Sequence, residues 1–239
     1  MVKIIFSSTN YGPMWMPVVN SWLMATNYAS RHLKEGKLGG IAITDRMYTH
    51  SAENALVKDF LAMEDATHLF MTESDMILPT DSLIKLIELD KDIASGIYFL
   101  RNGNGQSCLY KKTWVSKLNP YPHSPVTLFP EDKPFRIDCP GVGCVLIKRK
   151  VLEGLKPPCF DLKEYNYGSD MYFYTNVKNA GFEVWAHPGV LCSQIDYVVW
   201  SIEDYHERLK LDPNFVKSGY IIGDSSFYDG KVGIQPEVV

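Results

Sequence analysis

The first hundred residues alternate between short apolar runs and stretches in which apolar residues recur at helical spacing. Four apolar runs have the length and the polar flanks of buried strands, at residues 3–9, 38–45, 68–71 and 92–98. Between them, apolar residues recur with the period of a helix at 15–23, 52–63 and 83–87. Strands that alternate with helices are typical of a mostly parallel sheet with helices on its faces. The pattern therefore predicts an α/β fold, whose ligands bind beyond the carboxyl ends of the strands.

The second half of the chain has a weaker pattern. Residues 101–140 are rich in Asn, Gly and Pro, which predicts a long loop, and a loop of that length in a compact domain is usually functional or mobile. A buried strand is predicted over 141–150, and a helix is predicted with Ser169 as its N-cap and Gly181 at its end. The stretch 182–197 can supply two further strands.

Charge and composition exclude some classes of protein. The chain has 239 residues and a formal net charge of −4, so it lacks the basic surface of a nucleic-acid-binding protein, and we expect no nucleic-acid partner. An anionic ligand is not excluded, because helix N-termini, a few cations or a bound metal can hold phosphates. The five cysteines are odd in number and lack paired CxxC spacing, which indicates free thiols in a reducing compartment.

The sequence also bears on localisation. Its apolar runs are far shorter than the ~20 residues of a membrane-spanning helix. The N-terminus enters a strand directly, without the architecture of a signal peptide. We expect a soluble cytoplasmic protein without a transmembrane segment, and peripheral membrane contact is left open.

Two acids follow the third predicted strand, in the stretch "HLFMTESDMILPTD". Glu73 and Asp75 lie two positions apart, so in extended chain their side chains leave the same face. Like charges that close are destabilising unless a proton or a cation lies between them, and Mg²⁺ is commonly held by one or two carboxylates together with substrate phosphates. The alternative is a solvated loop, with Asp75 capping a turn. The position of the pair at a strand end favours a ligand.

The segment "ATHLFMTESDMILPTDSLIKLIELDKDIASGIYF" resembles the centre of the GT-A-fold, nucleotide-sugar-dependent glycosyltransferases, and in particular of the inverting, family-2-like enzymes. Their pattern is an apolar strand, a DxD motif, a proline-containing link, a helix and a strand leading to Gly-x-Tyr. The motif reads Glu73-Ser74-Asp75 in this chain. The resemblance implies that Asp75 binds a divalent cation, Mn²⁺ or Mg²⁺, on the diphosphate of a nucleoside diphosphate sugar. It implies that Glu73 contacts the ribose or the metal.

The resemblance extends to other parts of the predicted nucleotide-binding half. It implies that Thr9 and Tyr11, in "SSTNYG", contact the base, and that Asp45 recognises it; the alternatives are an ordinary strand-to-helix turn and a helix cap. The stretch "THSAENALVKDF" resembles a helix that carries an Arg-Asn pair in the family. Asn54 retains the Asn and is a candidate nucleotide contact, whereas Glu53 stands where a basic residue is common.

The acceptor half carries a second set of similar segments. "DCPGVGCVLIKRK" resembles the glycine-containing strand of the family, which implies that the backbone at Gly141 and Gly143 lines the pocket of the donor sugar and the acceptor. "YNYGSDMYFY" resembles the segment in which a Glu-Asp pair opens a helix, with Ser169 in place of the Glu. The retained Asp170 is then the general base that deprotonates the acceptor hydroxyl. A helix N-terminus stabilises a carboxylate in its charged form, and the alternative is that Asp170 only caps the helix.

A third metal ligand is implied where members of the family often carry a His, and here Gln194 occupies that region. Together these segments predict one GT-A domain over 1–239, with a mixed, mostly parallel sheet. Residues 1–100 form its nucleotide-sugar-binding half, 101–200 its acceptor-binding half and 201–239 a C-terminal extension. The expected activity is metal-assisted, inverting transfer of a sugar to a glycan or another hydroxyl acceptor.

Two other functions are weighed against this activity. One is a GT-A-like module that binds nucleotide sugar or glycan without turnover, which the departures at Glu53, Glu73, Ser169 and Gln194 favour. The other is a nucleotidyltransferase, although "SSTNYGPMW" lacks the glycine-rich basic loop usual after the first strand of such enzymes.

Overall fold

The computed structural model describes residues 1–101, 105–112, 123–162, 168–195, 199–212 and 220–221. The strands are β1 (Val2–Asn10), β2 (Gly36–Asp45), β3 (His68–Glu73), β4 (Met76–Ile77), β5 (Ile93–Ile97), β6 (Leu109–Lys112), β7 (His123–Leu128), β8 (Phe135–Ile137), β9 (Cys139–Pro140), β10 (Cys144–Lys148), β11 (Val184–Leu191), β12 (Ser193–Ile195), β13 (Val199–Trp200) and β14 (Tyr220–Ile221). The helices are α1 (Met16–His32), α2 (Thr49–Ala62), α3 (Ser82–Glu88), α4 (Arg149–Gly154), α5 (Ser169–Asn179) and α6 (Ile202–Leu211).

A seven-stranded sheet forms the centre of the protein, in the order β2-β1-β3-β10-β5-β11-β8. β1 pairs in parallel with β2 and β3, and β5 pairs in parallel with β11. β10 runs antiparallel between β3 and β5, and β8 runs antiparallel to β11 at the edge. The predicted α/β fold with a mixed, mostly parallel sheet is confirmed.

Burial along each strand follows from its place in the sheet. β1 lies between two strands and under helices on both faces, so its residues from Ile4 to Ser8 are all buried. β2 forms an edge of the sheet and has partly buried positions among exposed ones, so Ile41 is largely exposed.

Helices cover both faces of the sheet. α1 turns Val18, Trp22, Ala25 and Ala29 toward the sheet, at the spacing of one helix face, and Trp22 packs on Phe6 with ring centroids 5.3 Å apart. α2, α4 and α5 cover the other face with a cluster that includes Leu56, Phe60, Val151, Leu152, Phe173 and Val177. Full burial of such side chains contributes about 1.5–3 kcal/mol each.

The prediction of a long loop over 101–140 was wrong in its described parts. β6, β7 and β9 belong to a second, four-stranded sheet in the order β14-β7-β6-β9, and β8 completes the central sheet. These strands have at most six residues and are interrupted by Gly and Pro, so their apolar alternation is too short to stand out in the sequence. Residues 102–104 and 113–122, including most of "LNPYPHSP", lie outside the described residues.

The C-terminal helix α6 packs on this second sheet. Ser201 and Asp204 form a capping box at its start. Tyr205 is buried, stacks on Phe129 at 5.0 Å and donates a hydrogen bond of 3.1 Å to the carbonyl of Thr127. The remainder of the predicted C-terminal extension, 213–219 and 222–239, lies outside the described residues.

The state of the cysteines and the length of the apolar helices bear on two further predictions. All five cysteines are buried free thiols. Within the described ranges, no helix is long and apolar enough to cross a membrane.

Candidate functional site

The carboxyl ends of β1, β2 and β3 meet at one edge of the sheet, as the sequence predicts for parallel strands. Thr9 pairs with Glu73 across β1 and β3, and Asn10 pairs with Asp45 across β1 and β2. The Asn10 amide donates a hydrogen bond of 3.2 Å to the Asp45 carboxylate. Tyr11, the next residue of the chain, is 78% exposed. The predicted base-binding residues therefore share one solvent-facing edge, and their contact with a nucleotide stays a prediction.

Asp75 lies in the turn between β3 and β4, beside a residue more than a hundred positions away. β4 pairs with β12, which sets Gln194 opposite Met76. The Gln194 amide then donates to the Asp75 carboxylate at 3.2 Å, and the backbone N–H of Ile195 donates to the carbonyl of Asp75 at 2.8 Å. Two of the predicted metal ligands are therefore neighbours.

Arg101 also contacts Asp75, and the sequence analysis did not single it out. A guanidinium nitrogen of Arg101 lies 2.9 Å from the Asp75 carboxylate, with the Arg101 side chain half exposed. Arg101 follows the carboxyl end of β5, which is the only signal in the sequence that could have suggested it. The Arg101 side chain therefore places a positive charge beside the acidic motif.

The donors around Asp75 fit a divalent cation in part. Over the described residues, no three His, Cys, Asp or Glu side chains converge as a metal-binding group. Asp75 offers a carboxylate oxygen, and Gln194 offers an amide whose oxygen is of the kind that Mg²⁺ and Mn²⁺ accept. Two such donors suit a cation that completes its octahedron with substrate phosphates and water.

Glu73 of the predicted motif has a strongly raised pKa. Burial raises its pKa to about 8, the charges of Asp75 and Asp170 add to the rise, and Arg101 opposes it. At pH 7 the Glu73 carboxyl therefore carries a proton for most of the time. The repulsion expected between the two acids is relieved by protonation of Glu73 and by the ion pair of Asp75.

Asp170 lies in the first turn of α5 and faces the same space as Glu73. Its carboxylate accepts a hydrogen bond of 2.9 Å from the backbone N–H of Met171. Burial nevertheless raises the pKa of Asp170 to about 6, although this bond and one from its own backbone N–H lower it. The helix N-terminus was expected to hold Asp170 ionised, and desolvation outweighs that effect. The group stays mostly ionised at pH 7, as a base requires.

A cavity of about 340 Å³ is lined by both Glu73 and Asp170. Its walls include Tyr48, His50, Glu53, Glu73, Ser169 and Asp170. Its volume lies within the range of about 300–1,000 Å³ that is usual for small-molecule sites. Glu73 of the predicted donor motif and the predicted base Asp170 therefore line one cavity, although they are far apart in sequence.

Gly141 and Gly143 allow a close approach, but the approaching group belongs to the protein. A Cβ on Gly141 would lie 1.8 Å from the Tyr98 hydroxyl, and a Cβ on Gly143 would lie 2.6 Å from Met76. The Tyr98 hydroxyl accepts a hydrogen bond of 3.3 Å from the backbone N–H of Gly143. The glycines therefore seat the buried Tyr98 ring behind the site, and their contact with a donor sugar stays a prediction.

Alanine at Gly141 is expected to destabilise the fold. The new methyl group overlaps Tyr98 and lies 2.8 Å from the Cys108 sulfur, both in buried surroundings, so the free energy of unfolding should fall by about 1–3 kcal/mol or more. Urea unfolding measures the change. Gly12→Ala is the control, because nothing lies within 4 Å of a Cβ there. Equal unfolding midpoints for the two variants would contradict the role of Gly141.

Asn54 has a structural task in the described structure. Its amide nitrogen donates to the carbonyls of His50 and Phe160, both at 2.7 Å. Its amide oxygen accepts from the backbone N–H groups of Cys159 and Phe160, at 2.9 Å and 3.2 Å. These bonds occupy both ends of the amide and hold the chain at 159–160 against α2. The nucleotide contact of Asn54 stays a prediction.

Two of the departures from the family pattern are in contact. Glu53 on α2 accepts a hydrogen bond of 2.5 Å from the hydroxyl of Ser169 on α5. Ser169 was predicted as the N-cap of α5, but it is the first residue of the helix. The N-cap is Gly168, which has a φ of 116°. Each departure can be seen in the sequence by itself, but no sequence pattern indicates that Glu53 and Ser169 are in contact.

Comparisons with known proteins bear on the fold. No protein-family model matches the sequence, and no curated protein matches it. The fold is similar to that of A197 from STIV, with a TM-score of 0.60 and 20% identity, over 85% of this chain and 92% of that chain. It is also similar to GalNAc-T7 with UDP, GalNAc and Mn²⁺, with a TM-score of 0.55 and 12% identity, over 88% of this chain and 48% of that chain.

This chain therefore spans about half the length of the GalNAc-T7 chain. At these identities the similarity concerns the fold alone. It agrees with the mixed, mostly parallel sheet of the GT-A class that the sequence predicts.

Proposed function

We propose that this protein is an inverting glycosyltransferase that moves a sugar from a nucleoside diphosphate sugar to an acceptor hydroxyl. The observation that carries the proposal is the shared cavity, which Glu73 of the acidic motif and Asp170 both line. The GT-A-class fold supports it, because ligands of such sheets bind at the carboxyl ends of the strands, where these groups lie. In this proposal residues 1–100 bind the donor, residues 101–200 bind the acceptor, and both belong to one cytoplasmic domain.

The donor would lie along the edge formed by β1, β2 and β3. Thr9, Tyr11 and Asp45 would contact the nucleoside, and the diphosphate would lie beside Asp75. Asp75 and Gln194, with Glu73 once it has lost its proton, would hold a divalent cation between the protein and the diphosphate. A bound Mn²⁺ or Mg²⁺ supplies positive charge to a leaving diphosphate. Arg101, already at Asp75, adds a positive charge to the same place.

The transfer step follows from the position of Asp170. Its carboxylate takes the proton of the acceptor hydroxyl while the acceptor oxygen bonds to the anomeric carbon of the donor. The bond from that carbon to the diphosphate oxygen breaks on the opposite face, which inverts the configuration. Burial raises the pKa of Asp170 to about 6, which suits a base whose pKa lies near the working pH.

The rate of transfer is expected to rise with pH through an inflection near the pKa of Asp170, at about 6. Below that pH the carboxyl is protonated and cannot accept the hydroxyl proton, so the rate should fall about tenfold for each further pH unit. Steady-state rates at saturating donor between about pH 4.5 and 8 would measure this dependence. A rate that is constant between about pH 5 and 7 would contradict the assignment.

Release of nucleoside diphosphate tests the proposed function. The protein is incubated with a panel of nucleoside diphosphate sugars and Mn²⁺, without added acceptor, and the free nucleoside diphosphate is measured. Slow release from one sugar nucleotide is expected, because water can replace the acceptor at a competent donor site. Binding of a sugar nucleotide without release, even with candidate hydroxyl acceptors present, would instead indicate a binding module without turnover.

A further inference from the structure

Glu53 is a buried carboxyl group on the wall of the cavity. Its residue is 1% exposed, and the hydroxyl of Ser169, itself 4% exposed, donates to it at 2.5 Å. Carboxyl groups are rarely buried without a partner, since removal from water is costly. A buried carboxyl whose partner adjoins the proposed base therefore calls for a role at the site.

The partner of Glu53 controls how α5 begins. Ser169 is the first residue of α5 and directly precedes Asp170. The N-cap position, Gly168, has no side chain, and no side-chain cap is found in this part of the described structure. The Asp170 carboxylate lies 2.8 Å from where a Cβ on Gly168 would stand, so the first turn is tightly folded around it. The bond from Ser169 to Glu53 ties this turn to α2.

α2, the helix that carries Glu53, is tightly packed in the core. Ala52 and Leu56, on the same helix, are each 1% exposed in the core. The neighbouring Asn54 fixes the backbone at Cys159 and Phe160 through three hydrogen bonds. Glu53 is therefore held on a well-packed helix, and its bond to Ser169 anchors the first turn of α5, in which Asp170 is the second residue.

We propose that Glu53 is a positioning residue for Asp170: through Ser169 it fixes the first turn of α5 and thereby the direction of the Asp170 carboxylate in the cavity. The inference rests on the proposed function, in which Asp170 is the base. A misplacement of about 1 Å in a catalytic group can cost about 10²-fold in rate, so a single anchoring bond is sufficient to matter.

The charge state of Glu53 suits this role. Burial raises its pKa well above the usual value, the bond from Ser169 opposes the rise, and the charges of Asp170 and Glu73 add to it. The raised pKa favours the protonated form of Glu53, and that form can still accept the bond from Ser169. Glutamine has the same shape and is also neutral, so Glu53→Gln should preserve the contact.

The test compares Ser169→Ala, Glu53→Ala and Glu53→Gln with a matched control. Ser21→Ala removes another buried hydroxyl, on α1, where Ser21 donates to the carbonyl of Val18 at 2.8 Å and accepts from the N–H of Leu78 at 3.1 Å. α1 covers the opposite face of the sheet from α2 and α5, so this control reports the loss of a buried hydroxyl that does not contact the first turn of α5. Each variant is assayed for nucleoside diphosphate affinity, for turnover and for hydrogen exchange at Met171.

Ser169→Ala and Glu53→Ala are expected to lower kcat by about 10–100-fold while the affinity for nucleoside diphosphate changes less than about threefold. Glu53→Gln should restore kcat to within a few-fold of the unmodified protein. The Met171 N–H, which bonds to the Asp170 carboxylate, should exchange about tenfold faster in the two alanine variants and at its original rate in Ser21→Ala.

The inference is overturned if Ser169→Ala matches Ser21→Ala in both kcat and Met171 exchange. It is also overturned if Glu53→Gln is as slow as Glu53→Ala. Failure of the proposed function looks different: the unmodified protein then neither binds nor hydrolyses any sugar nucleotide. In that case faster Met171 exchange in Ser169→Ala still supports the anchoring of Asp170, and unchanged exchange refutes it.

Discussion

Replacement of Asp170 by asparagine is expected to lower the rate of glycosyl transfer by about 10²–10⁴-fold, which is the usual contribution of a positioned general base. Asparagine keeps the shape of the side chain and can still accept the bond from Met171, but it cannot take up the hydroxyl proton. The affinity for the donor should change little, because the proposed donor position is along the β1–β3 edge. Transfer to an acceptor, or to water where none is supplied, measures the rate.

The same substitution should stabilise the fold at neutral pH. The pKa of Asp170 in the folded protein, about 6, lies above its unfolded value, so the stability that the group contributes is present at low pH and is lost as the pH rises through 6. Asparagine removes the cost of burying the charge, about 1–3 kcal/mol at pH 7. Asp59→Asn, at an exposed position of α2, is the control and should change neither rate nor stability. Full turnover by Asp170→Asn would refute the base assignment.

Replacement of Asp75 by alanine is expected to weaken binding of nucleoside diphosphate in the presence of Mn²⁺ by about 10–100-fold, the value of one charged interaction of 1.5–3 kcal/mol. The loss has two sources in the structure. The proposed cation loses its carboxylate ligand, and Arg101 and Gln194 lose the partner that holds them at the site. Calorimetric titration with and without Mn²⁺ separates the metal-dependent part.

Asp81→Ala is the matched control for this prediction. Asp81 is also an acid paired with a cation, Lys85, at 2.8 Å, but it occupies the N-cap position of α3 rather than the turn between β3 and β4. Its removal should leave nucleotide affinity unchanged. Equal affinity of Asp75→Ala and the unmodified protein, with Mn²⁺ present, would remove Asp75 from the proposed donor site.

The parts of the site that the sequence predicted are those set by strand register. Thr9, Asp45 and Glu73 follow apolar runs that alternate with helices, and parallel strands bring their ends together. The proximity of Asp75 and Gln194 was expected only from the resemblance, because no local pattern relates the two positions. The structure attributes it to the pairing of β4 with β12, two strands too short to be seen in the sequence.

The features of the site that could not be predicted from the sequence depend on contacts between distant segments. The bond from Ser169 to Glu53, the ion pair of Arg101 with Asp75 and the fit of Tyr98 against Gly141 each join side chains from separate elements. The pKa of Asp170 was also misjudged in direction, since the helix N-terminus can be read from the sequence whereas burial cannot. Local pattern therefore indicated which residues lie at the candidate site, whereas the burial that shifts their pKa values depends on packing.

The most direct test of the account is a thermal-shift comparison of the unmodified protein and Asp75→Ala with a panel of nucleoside diphosphates and their sugars, with and without Mn²⁺. A ligand that binds only the native state stabilises it by RT ln(1 + [L]/Kd), so a ligand at about 100 times its Kd adds about 2.7 kcal/mol. We predict that at least one nucleoside diphosphate sugar raises the melting temperature of the unmodified protein with Mn²⁺, and that Asp75→Ala loses most of this shift. No shift with any sugar nucleotide, or an equal shift in both proteins, would contradict a donor site at the acidic motif.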